Sequence, residues 1–241
     1  MLERDGFQVF PGFLHEGEVL ALRDEVHRFL KTVILKLPSE LVYYEDRARP
    51  ETLKQVQRMF EHDPYFEALM HGSQFAMLAA DLLGERVVGK NLQYFNKPAG
   101  NSLPTPPHQD GYYFMLQPCR AVTMWLALED VSLEQGCVHY ARGSHKNGLL
   151  DHAPAGVLGF SQNIPNFDTP SHDAVACPAK AGDLIVHDAQ TVHWAGANQS
   201  AEQSREALGF IYYGKSAKED EEAQRRYQRS LAARLAAEGK I

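Results

Sequence analysis

Apolar residues between positions 14 and 37 recur at helical spacing, with Val19, Leu20, Leu22, Val26, Phe29, Leu30 and Val33 separated by charged residues. That period predicts an amphipathic helix over 14–37. Two more helices are expected, over 55–61 and from about Pro64 through Leu83, with Gly84 and Val87-Val88-Gly89 closing the region. From residue 87 the period shortens to two. Val87 to Phe95 reads as a strand. In 121–129, Val122, Met124, Leu126 and Leu128 fall on one side and Thr123, Trp125 and Ala127 on the other. The turn at Gly182-Asp183 precedes a strand over 184–187. A further strand over 205–213 sets Arg205, Ala207, Gly209 and Ile211 against Leu208, Phe210 and Tyr212.

The segment 147–179, rich in Pro, His, Asp and Asn, is expected to be a long irregular loop of the kind that forms lids. Residues 215–240 read as a charged surface helix. Helices followed by many strands predict an α+β chain with a mainly β core and helices at both ends. A jelly roll suits it, because two sheets bring residues distant in sequence to one cavity. No repeat, low-complexity tract or linker interrupts the chain. It reads as one domain, 1–241, with a mainly helical front (1–86), a jelly-roll core (87–213) and a C-terminal helix (214–241).

Composition narrows the functional classes. The 241 residues are 44% hydrophobic, enough for one sizeable core, and the formal net charge is -7. A mildly acidic chain without a Lys/Arg cluster is a poor match for nucleic acid or an anionic membrane. Arg225, Arg226 and Arg229 sit among acids and read as a solvated helix face rather than a binding patch. No stretch approaches the ~20 apolar residues of a membrane span. Met1-Leu2-Glu3-Arg4-Asp5 lacks the basic start and apolar core of a signal peptide. Cys119, Cys137 and Cys177 form no CxxC pair, which favours a reducing cytoplasm.

The candidate chemistry lies in Thr105-Pro106-Pro107-His108-Gln109-Asp110-Gly111-Tyr112-Tyr113 and in Thr191-Val192-His193-Trp194-Ala195-Gly196-Ala197-Asn198, followed by Arg205. On a strand, His108 and Asp110 point the same way. With His193 they make two imidazoles and one carboxylate, the facial set of non-haem iron(II) oxygenases, which leaves coordination positions open for substrate and oxygen. A lone His-x-Asp pair means little in a chain with 11 histidines. His187 competes for the third place, although a histidine after an apolar strand is also a candidate for plain burial. His139, His145, His152 and His172 read as loop or surface residues. Arg205 offers a two-pronged clamp for a carboxylate, with small Ala207 and Gly209 leaving room beside it. Its bland alternative is an exposed arginine paired to Glu202 or Glu206. Tyr112, Tyr113 and Phe114 read equally as a substrate wall or as core, with Tyr112 continuing the spacing of His108 and Asp110. Asn163, Asn166, Asp168 and His172 in the 147–179 loop are placed to cap the cavity.

The ordered set His108-Gln109-Asp110, 124–130 (MWLALED), Glu134-Gln135-Gly136-Cys137, 142–146 (RGSHK), Gly182-Asp183-Leu184 and His193 through Asn198 with Arg205 resembles the phytanoyl-CoA dioxygenase family. The resemblance covers roughly residues 87 to 213. It implies a double-stranded β-helix, a cupin-like jelly roll, with added helices. It implies Fe(II) held by His108, Asp110 and His193, with 2-oxoglutarate and O2 as co-substrates and Arg205 anchoring the distal carboxylate of 2-oxoglutarate. Gln109 and Trp125 match positions that line the co-substrate, and Asn91 a position that contacts its keto-acid end. Gln93, on the same strand face as Asn91, is expected to touch substrate, as is Tyr112.

The implied reaction is hydroxylation of a small organic molecule, coupled to decarboxylation of 2-oxoglutarate to succinate and carbon dioxide. The longer motif of ectoine hydroxylases is missing. Position 110 is Asp, not the Ala or Gly of related halogenases, and Arg142 stands where many relatives have proline. The alternatives are a metal-dependent cupin-type enzyme that does not use 2-oxoglutarate, and a non-catalytic binding protein on the same fold.

Overall fold

The two-residue period beyond position 87 resolves into antiparallel sheets. The computed structural model describes residues 1–100, 102–157 and 160–237. In chain order it runs α1 (Leu2–Asp5), β1 (Phe7–Phe10), α2 (Glu16–Thr32), β2 (Val42–Tyr44), β3 (Leu53–Val56), α3 (Pro64–His71), α4 (Gln74–Leu83), β4 (Val87–Lys97), β5 (Thr105–His108) and α5 (Asp110–Phe114). It continues with β6 (Leu116–Gln117), β7 (Ala121–Ala127), β8 (Val138–Ala141), β9 (Ala153–Val157), β10 (Phe160–Asn163), β11 (Ala174–Cys177), β12 (Leu184–Asp188), β13 (His193–Ala195), β14 (Arg205–Gly214), β15 (Lys218–Glu219) and α6 (Glu221–Ala237).

A seven-stranded sheet has the order β1-β12-β7-β14-β4-β3-β2, and a four-stranded sheet the order β11-β8-β13-β5. Both are antiparallel throughout and make a jelly-roll core. The alternation in β7 and β14 divides two cores. Val122, Met124, Leu126, Leu208, Phe210 and Tyr212 pack with Val26, Phe29, Phe66 and Phe75 of the helices. Trp125, Ala127 and Ala207 face the other way and pack with Val138 and Tyr140 of the small sheet.

The helical front departs from the sequence reading in three places. α2 is the expected helix, begun by a reciprocal cap between His15 and Glu18, but it ends at Thr32 and a separate 3-10 turn covers Ile34–Lys36. The helix expected over 64–83 is broken at Gly72-Ser73. Ser73 caps α4, its hydroxyl accepting from the Phe75 amide. The helix expected over 55–61 is strand β3 followed by a 3-10 turn, Met59–Glu61. There Gln55 and Val56 pair with Phe95 and Tyr94, and ladder hydrogen bonds outweigh a weak local period. β1, β2 and β3 all join the large sheet, so the front of the chain is not simply helical.

The expected 147–179 loop contains β9, β10 and β11. β9 and β10 form a hairpin, and β11 extends the small sheet beside β8. Residues 158–159 and 238–240, which fall within that loop and the expected C-terminal helix, lie outside the described residues. Among the described residues no helix is long and apolar enough to cross a membrane.

Phe75 of α4 stacks on Phe210 of β14 at 4.1 Å, and both are buried. Phe210→Ala should cost about 3–5 kcal/mol. The exposed Leu35→Ala should stay within about 0.5 kcal/mol. Urea unfolding midpoints of the two variants check both.

Candidate metal centre

β5 and β13 are neighbours, and His193 sits directly opposite His108 in their register. Directly opposite residues share a face, and the two rings lie 4.2 Å apart. The chain then turns from β5 into α5 at Gln109, which places Asp110 at the first helical position. Asp110 Oδ1 lies 3.6 Å from His108 Nε2 and 3.7 Å from His193 Nε2. Among the described residues these are the His, Cys, Asp or Glu side chains whose ligand atoms gather in this way, all within 4.8 Å of one another.

Backbone carbonyls orient both imidazoles. His108 Nδ1 donates to Pro106 O at 2.8 Å and His193 Nδ1 to Thr191 O at 3.0 Å. Each Nε2 is thereby left with its lone pair toward the gap, as a metal requires. Burial, with the charges of His108 and His187 adding to it, holds the His193 imidazole well below its ordinary range and keeps it neutral. Burial pushes the Asp110 carboxyl up, but its three histidine neighbours outweigh that, and it stays well below the usual carboxylate range.

His187 is placed behind this set. It lies opposite Thr123 in the register of β12 with β7. Thr123 Oγ1 donates to Asp110 Oδ2 at 2.5 Å, and His187 Nε2 lies 3.2 Å from the same oxygen. An ionised carboxylate only accepts, so the His187 proton sits on Nε2. Its Nδ1 then accepts from the Tyr140 hydroxyl at 3.0 Å. His187 is therefore committed to holding Asp110, and His193 completes the triad. Asp110 thus spans both sheets, Oδ2 tied to the large one and Oδ1 facing the histidines of the small one.

The site opens into a cavity of about 880 Å³, lined among others by Asn91, Gln93, Trp125, Tyr140, His187 and Arg205. Arg205 is buried, donates from Nη1 to Gly136 O at 3.0 Å, and sits 5.3 Å over the Trp125 ring. Its Nε is buried without a partner. Burial lowers its basicity to about 10, which leaves it charged at neutral pH. Lys97, its register partner, is driven down to about 6 by burial and by the charges of Arg205 and Lys54, and donates to Leu103 O at 2.6 Å.

Asn91 accepts from the Arg58 amide at 2.9 Å, and Gln93 accepts from Gln55 Nε2 at 2.9 Å. Gly209 does not leave ligand space beside Arg205. A Cβ there would lie 2.7 Å from the Phe95 ring and 3.1 Å from Gln93 Cγ, so neighbouring side chains already fill the position.

Two expected contacts are placed elsewhere. Gln109 alternates with His108 and Asp110, so its side chain points away from the cavity. It donates to Gly148 O and Gln190 O and accepts from the Leu150 amide, pinning those segments to the metal-bearing turn. Tyr112 stacks on His152 at 4.3 Å and does not line the cavity. The strand ends at His108, and in a helix two residues advance about 200° rather than a full turn. Tyr113 lines the cavity instead, edge-on to His108. Its hydroxyl donates to Gln162 O and accepts from Gln162 N. Among the described residues none from 147–179 lines the cavity, whereas Arg225 and Arg229 of α6 do. The sequence reading missed Thr123, Tyr140 and Gly136. Thr123 was signalled by its inward place on β7, and Gly136 lies within a recognised motif.

Residues 2–207 match the phytanoyl-CoA dioxygenase family. The chain belongs to this family. A phytanoyl-CoA dioxygenase of Arabidopsis thaliana is 33% identical over 152 residues, covering 63% of this chain and 53% of its own. The chain thus spans about half the length of that relative. Among solved structures, the epimerase SnoN from nogalamycin biosynthesis, in complex with Fe3+, alpha ketoglutarate and nogalamycin RO, has a TM-score of 0.71 and 29% identity, covering 90% of this chain and 82% of its own. EvdO2 from Micromonospora carbonacea var. aurantiaca, complexed with 2-oxoglutarate, has a TM-score of 0.70 and 25% identity, covering 90% and 89%.

Within this phytanoyl-CoA dioxygenase fold, Gly136 has φ +72°, and a Cβ there would fall 2.3 Å from Gly196 O. Gly136→Ala should destabilise the protein by about 1–3 kcal/mol, read from denaturant midpoints. An unchanged midpoint would mean that the turn supporting Arg205 relaxes freely.

Proposed function

We propose that the protein is an Fe(II)- and 2-oxoglutarate-dependent dioxygenase that hydroxylates a small organic molecule while 2-oxoglutarate is converted to succinate and carbon dioxide. The observation that carries this reading is the convergence of His108 Nε2, Asp110 Oδ1 and His193 Nε2 in a cavity that also holds a buried, charged arginine. The donors fit the ion. Two neutral imidazoles and a carboxylate are a borderline set, and their lone pairs are already aimed by second partners. The site also fits the keto acid, because Arg205 Nε is a buried donor still lacking an acceptor.

Bound iron with 2-oxoglutarate and O2 would supply the oxidising power to break a C–H bond. The chain's own residues do the rest. Arg205 takes the distal carboxylate, with Trp125 and Gly136 O fixing the guanidinium. His187 and Thr123 keep Asp110 ionised and pointed at the metal. Tyr113 closes the wall beside His108. Asn91 and Gln93 offer amides to co-substrate or substrate. The nogalamycin RO in the related SnoN structure supports a small-molecule substrate, and the 2-oxoglutarate in both related structures supports the co-substrate. The three unpaired cysteines favour a cytoplasmic setting.

Arg205 separates this reading from a cupin that does not use 2-oxoglutarate. Anaerobic Fe(II) and 2-oxoglutarate should give a visible charge-transfer band, and succinate should form on admitting oxygen. His193→Ala should abolish the band. Arg205→Ala should keep iron while raising the 2-oxoglutarate requirement about 10²-fold. An unaltered requirement favours the cupin reading. A band without succinate release for any compound of a metabolite library favours a binding protein.

A further inference from the structure

The oxygenase reading leaves one wall of the cavity unexplained. Gln224, Arg225, Gln228, Arg229, Leu231 and Ala232 of α6 line it. These positions step by one, three and two along the helix and therefore form one face. α6 lies beyond residues 2–207, the segment matched to the family. It carries none of the metal ligands.

The helix is fastened in place. The Tyr227 hydroxyl hydrogen-bonds the Ser161 hydroxyl of β10, and its ring meets Tyr113 edge-on at 6.2 Å. The approach to α6 is tied down by the pairing of β15 with β6 and by the Asp220 amide, which donates to Met115 O at 3.0 Å.

Away from the metal centre, four cations line the cavity: Arg58, Lys90, Arg225 and Arg229. Three already have carboxylates. Arg58 grips Glu61 with two hydrogen bonds, Lys90 pairs with Glu219, and Arg225 pairs with Glu221 at 3.1 Å. Among the described residues no carboxylate pairs with Arg229. Glu40 is the lining acid outside these pairs, and its charge bears on Tyr43. The lining also includes an apolar and aromatic cluster of Phe114, Ile211 and Tyr213.

Deepening the oxygenase reading on which it rests, we infer that Arg229 receives a carboxylate or phosphate of the substrate, whose apolar body lies against that cluster. Arg229 lines the cavity from an exposed position, and a guanidinium there can present paired donors to either anion. About 880 Å³ is a volume in which a drug-sized molecule fits. An anion held at α6 leaves the apolar end of the substrate for the metal.

The test needs no knowledge of the natural substrate. Anaerobic protein saturated with Fe(II) and 2-oxoglutarate, so that Arg205 is already occupied, is titrated by calorimetry with hexanoate, hexyl phosphate and hexanol. Either anion should bind at least about tenfold more tightly than hexanol, and Arg229→Gln should remove that advantage. Arg229→Lys should keep part of it. The better of the two anions identifies the headgroup. Glu40→Gln should leave anion binding unchanged or tighten it.

Equal binding of hexanol and the anions, no binding of either anion, or unchanged anion binding in Arg229→Gln overturns the inference. So does an equal loss of anion binding in Glu40→Gln, which would make the two residues a structural pair. The visible band of the same samples tests the oxygenase reading separately. Arg229-dependent anion binding without a band keeps the anion site and sinks the oxygenase.

Discussion

One carboxylate holds the two sheets in register around the site. Asp110 accepts from Thr123 and His187 of the large sheet through Oδ2 and turns Oδ1 toward His108 and His193 of the small sheet. A buried carboxylate is tolerated only when its lone pairs are satisfied. The large sheet satisfies Oδ2, while Oδ1 faces the Nε2 lone pairs of the small-sheet histidines across the position a cation would take. Remove the large-sheet donors and Oδ1 loses its aim. Remove the small-sheet histidines and a buried charge faces an empty gap. The His108–His193 register, the Thr123–His187 register and the strand-to-helix turn at Gln109 are the local conditions that let one side chain bridge both layers.

A second buried charge complements the first. Arg205 leans on Trp125, donates to Gly136 O, and keeps Nε unpartnered. Lys97 stands beside it in the sheet, yet burial and the charge of Arg205 strip most of its own charge at neutral pH. Of these two register partners, Arg205 lines the cavity and is the one that presents a strong cation to it. An orphaned donor in such a place is costly unless a ligand completes it, which is why it reads as function rather than as poor packing.

Much of this was legible in the sequence where burial differs between the two faces of a strand. β7 and β14 were read correctly because one face packs on helices and the other on the site. The His108, Asp110, His193 and Arg205 constellation was legible from residue types and order. What failed has physical reasons. The His108-Asp110-Tyr112 spacing assumed an unbroken strand, and the turn into α5 sends Tyr112 to His152 and Tyr113 to the cavity. The 147–179 segment lacks apolar alternation, but β9 and β10 pair through backbone, which composition does not report. Residues 55–56 end β3 instead of opening a helix because β4 was there to pair with them. The arginines of α6 read as a solvated face and are exposed; that Arg225 and Arg229 also line the cavity follows from strands far away in the chain. Thr123 and His187 could not be joined to Asp110 without the pairing register of β7 with β12.

The most direct measurement is X-ray absorption at the iron edge of the anaerobic Fe(II)-loaded protein, before and after 2-oxoglutarate. The account predicts a light-atom shell containing two imidazoles, not three, with no sulfur, and further oxygen character when 2-oxoglutarate is added. A third imidazole would make His187 a ligand and dissolve the bridging role of Asp110. A shell that 2-oxoglutarate leaves unchanged would contradict the pairing of this metal site with Arg205.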